Sequence, residues 1–142
     1  MKRIQEIMSE QAAYCQEEDP ISSITQELSG AGELTVINAE KIVTGKITQL
    51  DYCMATQRVG KTPDEITVRE VMRRETTTVN AYDDEARAYI LMRHLHLKRL
   101  AVVDEENKLK GSINFITLAR RIISLKNRMK GFGGYFSAPG IH

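Results

Sequence analysis

Gly45, Thr48 and Asp51 stand three residues apart in "GKITQLD", and Gly111, Asn114 and Thr117 repeat that spacing in "GSINFIT". An acidic residue three positions after a hydroxyl, at the start of a helix, has two uses. It can close a capping box, in which Thr48 caps the helix and Asp51 reaches back to the cap amide. It can also accept hydrogen bonds from both vicinal hydroxyls of a sugar, while a Thr hydroxyl and a helix N-terminus suit a phosphate oxygen. Gly45 leaves space for backbone or ligand to come close. In the second phrase Asn114 keeps a capping oxygen, but Thr117 offers one hydroxyl where Asp51 offers a carboxylate. A carboxylate open to either use therefore stands in the first copy and not in the second.

Other reactive residues lack the company that chemistry requires. Cys15 and Cys53 are far apart, outside any CxxC pattern or Cys/His cluster, and read as buried structural thiols. His94 and His96 are two residues apart, so on one helix they face nearly opposite ways and read as surface or packing residues, not a metal pair. "ATQRVGKT", residues 55–62, imitates a phosphate loop but trails a helix and runs into Pro63, the wrong context for one. Local spacing supplies neither an activated nucleophile nor a paired acid and base. The expectation is a non-enzyme with no catalytic residues, no metal site and no required cofactor.

The 142 residues carry a formal charge of +1, with 42% hydrophobic and 27% charged residues, the profile of an ordinary globular chain. That charge creates no global attraction to nucleic acid or anionic lipid. Arg120, Arg121, Lys126, Arg128 and Lys130, followed by Phe132, Tyr135 and Phe136, form one local basic and aromatic segment. Nucleic-acid binding there is the lesser reading, behind a solvated helix face. No apolar run reaches bilayer length, and "MKRIQEIMSEQ" is no signal peptide, so a cytoplasmic, membrane-free protein is expected.

The repeated phrase belongs to a longer repeat. At an offset of 66, Leu34, Val36, Ile37, Glu40, Gly45 and Ile47 fall on Leu100, Val102, Val103, Glu106, Gly111 and Ile113. Glu6-Ile7-Met8 falls on Glu70-Val71-Met72 at an offset of 64. In the second copy, a β-prone stretch around Thr77-Thr78-Val79 precedes a helix capped by Asp83 or Asp84, with Ala86, Tyr89, Ile90 and Leu97 on its apolar face. "RLAVVD" and "KLKGSIN" form a hairpin around "DEENK", and a last helix carries Leu118, Ile122, Leu125 and Met129 on one stripe. The first copy has Tyr14-Cys15 as its opening strand, Ile21, Ile24 and Leu28 on a helix, "ELTVIN" and "IVTGKI" as the hairpin, and Leu50, Cys53 and Met54 on the final helix. Each unit reads β-α-β-β-α. A unit of this size buries little by itself, so the helix faces of the two copies are expected to pack together. The boundaries read as 1–63, a first motif with its linker; 64–130, a second motif; and 131–142, a Gly-rich aromatic tail expected to fold back on the body.

A Met before a short strand and helix, then "RLAVVDEENKLKGSI" and a polar residue opening a helix, all in tandem, resembles the cystathionine-β-synthase (CBS) domain pair, or Bateman module. The resemblance covers residues 4–127 and is strongest in the second copy. It implies an α+β fold of two β-α-β-β-α motifs related by a pseudo-twofold axis, homodimerisation through helices, and regulation of a partner protein. It also implies an adenosine-containing ligand, AMP, ADP, ATP or S-adenosylmethionine, held between the motifs. By that resemblance the opening strand, Tyr14 and Cys15, walls the adenine with the hairpin around Gly45. Thr48 reaches phosphate and Asp51 holds the ribose. Lys98 and Arg99, just before the second strand of the other motif, meet phosphate across the axis, and Asn114 takes the place of Thr48 in the second site. A rival reading is a structural interaction module without a ligand.

Overall fold

The computed structural model describes residues 1–58 and 60–130; the expected tail at 131–142, with Phe132, Tyr135 and Phe136, and the side chains of Arg58, Met129 and Lys130 lie outside the described residues. The chain is α+β and repeats one arrangement twice. In the first half a short entry helix α1 (Ile4–Ile7) leads to β1 (Tyr14–Gln16). A single 3-10 turn at Ile21–Ile24 runs into α2 (Thr25–Ala31), followed by β2 (Glu33–Ile37), β3 (Val43–Thr48) and α3 (Gln49–Arg58). The second half has α4 (Val68–Val71), β4 (Thr78–Asn80), α5 (Glu85–Leu95), β5 (Arg99–Val103), β6 (Leu109–Asn114) and α6 (Phe115–Lys130).

Each sheet has three strands, in the orders β1-β2-β3 and β4-β5-β6, with the first pair parallel and the second antiparallel. Even the irregularities repeat, since the register slips between Val36 and Ile37 and again between Val102 and Val103. The hairpin turns share one chemistry. Asn38 Oδ1 accepts from the amides of Glu40 and Ile42, and Asp104 Oδ1 from those of Glu106 and Lys108. Such Asx turns replace backbone pairing with a side-chain oxygen and let Lys41 and Asn107 adopt left-handed φ of 68° and 64°.

The expected packing of one copy's helices on the other's is corrected here. Each half has its own core, one around Ile21, Leu34, Val36 and Ile47, the other around Met92, Leu100, Val102 and Leu118. The halves instead exchange entry segments. Ile4 on α1 lies in the second core, whereas Ile66 and Val68, leading into α4, lie in the first. Both entry helices are held by acidic residues reaching back, Glu6 to the Arg3 amide and Glu70 to the Thr67 amide. A small third cluster, Ile37, Val43 and Val103, joins the hairpins beside an Ile42–Lys108 bridge.

Two helix faces also differ from their sequence patterns. On α5 the buried positions are Glu85, Ala88 and Met92, and Ile90 is exposed. Tyr89 and Leu97 pack against the second core as expected, while Glu85 turns inward to Arg121, which the basic-face pattern had placed in solvent. On α3 Leu50, Cys53 and Met54 are exposed and Ala55 meets the core, so only Cys15 of the two cysteines is a buried thiol.

Candidate functional site

The glycine of each repeated phrase is required by a backbone crossing. Arg73 and Lys46 exchange both main-chain hydrogen bonds, at 2.8 and 2.9 Å, and Ser9 and Ser112 do the same at 2.9 Å. A Cβ on Gly45 would lie 2.2 Å from the Arg73 carbonyl oxygen, and one on Gly111 would lie 2.1 Å from that of Ser9. Each half's third strand is therefore bridged by the entry segment of the neighbouring motif.

Directly after this crossing, Thr48 and Asp51 form the capping box that their spacing allows. The Thr48 amide donates to Asp51 Oδ2 at 3.0 Å, and the Asp51 amide donates to Thr48 Oγ1 at 3.2 Å. The Asp51 carboxylate has a further partner, since Arg73 Nε lies 3.0 Å from Oδ1 and 3.2 Å from Oδ2. Burial pushes the Asp51 carboxyl up, but the Thr48 amide and the Arg73 guanidinium together outweigh it and hold the group below the usual carboxylate range. An ionised carboxylate thus stands at the head of α3, tied to the segment that leads into the second half. It can bind hydroxyls or a cation; alone it has no partner for acid–base chemistry.

A cleft of about 80 Å³ lies between the halves, close to this point. Its walls include Glu33, Thr35, Gly45 and Lys46 from the first half and Thr76, Thr77, Arg99 and Ser112 from the second. Lys46 links the cleft to Asp51 through Arg73. Charge in the cleft is mixed, with Lys46 Nζ 4.0 Å from Glu33.

Of the residues expected from sequence, Gly45 and Arg99 line the cleft; Thr48 and Asp51 are not among its lining residues and follow Gly45 along the end of β3 and the start of α3. Arg99 crosses toward the first half as expected, but its guanidinium donates at 2.6 Å to the Ala31 carbonyl at the end of α2. Lys98 is exposed and contributes its carbonyl to the Phe115 amide. Cys15 points into the first core, where burial and then the nearby Asp19 charge push its thiol up to about 12, so its side chain is no adenine wall. Tyr14 is exposed, and its backbone pairs with β2 at Thr35. Asn114 caps α6, accepting from Ile116 at 2.8 Å, and Thr117 is exposed. Sequence reasoning missed Arg73, because its counterpart in the repeat is Ser9 and the pair forms only across the fold. Among the described residues no group of three or more His, Cys, Asp or Glu side chains could hold a metal ion, and no helix is long and apolar enough to cross a membrane.

Residues 68–124 match the family model of the CBS domain. An uncharacterized protein of Methanopyrus kandleri is 27% identical over 107 residues, which span 72% of this chain and 55% of that protein. The chain thus covers only about half of that relative. A CBS domain-containing protein of Bacillus anthracis superposes with a TM-score of 0.72 at 16% identity, over 87% of this chain and 94% of that one. A CBS domain pair solved with 5′-methylthioadenosine and S-adenosyl-L-methionine superposes with a TM-score of 0.65 at 18% identity, over 88% of this chain and 98% of that one. These likenesses concern the fold.

Proposed function

Residues 68–124 are a CBS domain, and we propose that the chain, which repeats that fold twice, is a CBS-domain pair serving as a non-catalytic regulatory unit that binds one adenosine-containing ligand beside Asp51. The observation that carries this reading is the ionised Asp51 carboxylate, next to the Thr48 hydroxyl and the N-terminus of α3, at the end of the strand whose Gly45 and Lys46 line a cleft walled by both halves. The carboxylate suits ribose hydroxyls and the helix start suits phosphate. Thr117 lacks that chemistry, so the reading places one ligand per chain. The candidates are AMP, ADP, ATP and S-adenosylmethionine.

Both halves supply walls of the cleft, so a ligand held there can bind one arrangement of the halves better than another, and that difference shifts the population a partner protein meets. A thermal-shift screen with the four ligands tests the reading, because a ligand at about 100 times its dissociation constant adds about 2.7 kcal/mol. A shift of several degrees with one of them, lost in Asp51→Ala and kept in Thr117→Ala, is the expected result. Equal losses in the two variants would refute the site.

A second reading, a dimerisation or interaction module, has its own observation. Leu50 and Ile116 occupy equivalent positions on α3 and α6 and are 58% and 60% exposed, with Met54 and Ile123 also exposed on these helices. Apolar groups displayed in repeat-related places suit a homodimer formed through the helices. Sedimentation of the Leu50→Asp/Ile116→Asp double variant checks it; a dimer unaffected by both changes would rule that surface out.

A further inference from the structure

Resting on the reading of Asp51 as a ribose anchor, we propose that Arg73 makes the site selective for adenosyl ligands that carry a phosphate over those that do not. A carboxylate offers about four lone-pair sites. In the structure the Thr48 amide and the shared Arg73 Nε–H take three of them. Two vicinal hydroxyls require two, so a ribose can seat only if Arg73 gives way.

Displacing the guanidinium costs its charge-assisted bonds unless the ligand supplies another anion. A neutral nucleoside supplies none, and S-adenosylmethionine puts its sulfonium, a like charge, beside the ribose, with its carboxylate several bonds farther out and next to an ammonium. A phosphate at the Thr48 hydroxyl and the α3 N-terminus supplies one within the reach of a long, planar side chain. The side chain can swing while its base stays fixed, because the Arg73 main chain is pinned to Lys46 by both hydrogen bonds and the side chain is half-exposed. The two cations lining the cleft are engaged elsewhere, Arg99 on the Ala31 carbonyl and Lys46 near Glu33. Ser9 stands at the place of Arg73 in the other half, so this filter exists once.

The test is calorimetric titration of the wild type and Arg73→Gln with AMP, adenosine and S-adenosylmethionine. The substitution keeps the main-chain pairing, and a melting curve confirms the fold. The wild type is expected to prefer AMP to adenosine by about tenfold or more, and Arg73→Gln to narrow that ratio to about twofold, binding AMP more weakly and adenosine more tightly. Adenosine binding by the variant should also fail at a higher pH on acidification, since Asp51 keeps the Thr48 amide but has lost the guanidinium that also holds its carboxyl low. An unchanged ratio, or a wild-type preference for adenosine or S-adenosylmethionine, overturns the inference and leaves binding at Asp51 standing. Binding of none of the three, nor of ADP or ATP, to either protein overturns the Asp51 reading and the inference with it.

Discussion

Arg73 and Asp51 join the entry segment of one half to the capped helix of the other, with the guanidinium Nε 3.0 Å from the carboxylate. Ser9 and Thr117, at the corresponding positions, cannot form such a pair. The asymmetry visible as one changed letter in the repeated phrase is thus an asymmetry at two positions, and the second is 22 residues from the first in sequence. Removing the carboxylate by Asp51→Ala deletes a cap and an ion pair together. A loss of about 1–2 kcal/mol is expected in urea denaturation, against less than about 0.5 for Thr117→Ala.

Gly45→Ala and Gly111→Ala should each cost more than about 1 kcal/mol, because the new methyl meets a carbonyl oxygen of a crossing backbone that is itself hydrogen-bonded. Gly30→Ala is the control. It lies within α2 with open space around it, so it should stabilise the protein by about 0.5–1 kcal/mol. Equal effects at the three glycines in denaturant melts would contradict the crossing.

Glu85 is fully buried, with its carboxylate held by Arg121 at 2.6 Å and by the Lys2 amide at 3.0 Å. Its counterparts in the first half are apolar, Ile21 and Ala55 standing where Glu85 and Arg121 stand. Arg121→Met should therefore destabilise by about 3–5 kcal/mol, and Glu85→Leu with Arg121→Met should recover most of the loss. The Arg121 hydrogen bonds, against the opposing effect of burial and with help from the Lys2 amide, hold the Glu85 carboxyl below its usual range. Its contribution is then complete above the unfolded value of about 4.3 and lost as pH falls through the folded one. Denaturation midpoints between pH 6 and pH 3 should fall less steeply in the double variant than in the wild type.

Cys53 is exposed and Cys15 is buried with its thiol pushed up to about 12. A thiol reagent at neutral pH should modify Cys53 in the native protein and reach Cys15 only after unfolding. Mass spectrometry of the labelled chain distinguishes the two. Prompt native labelling of Cys15 would mean that β1 opens readily.

Strands, hairpins and caps were legible in the sequence because they depend on neighbours. Asn38 and Asp104 build their turns from amides two and four residues away, and Thr48 and Asp51 close their box across three. The exchange of entry helices was not legible, since Ile4 and Val68 would satisfy an apolar core in either half equally well. Nor was the inward turn of Glu85, because a charged residue reads as surface until its partner, 36 residues on, is known to face it. Leu50, Cys53 and Met54 showed a helical period, which reports that a face exists but not whether the protein itself covers it.

The exchanged entry helices also set an order of events at the ribosome. α1 emerges before every strand of the second half, yet Ile4 belongs with Met92, Leu100 and Leu118. At roughly 5–20 residues per second, it must wait several seconds for those partners to be made. Until then its seat is unmade and its apolar side chain is open to solvent or to a chaperone. The first core, by contrast, is complete once Val68 has appeared, so the nascent chain should close its halves in sequence order and lock them together last, when α1 finds its seat in the second.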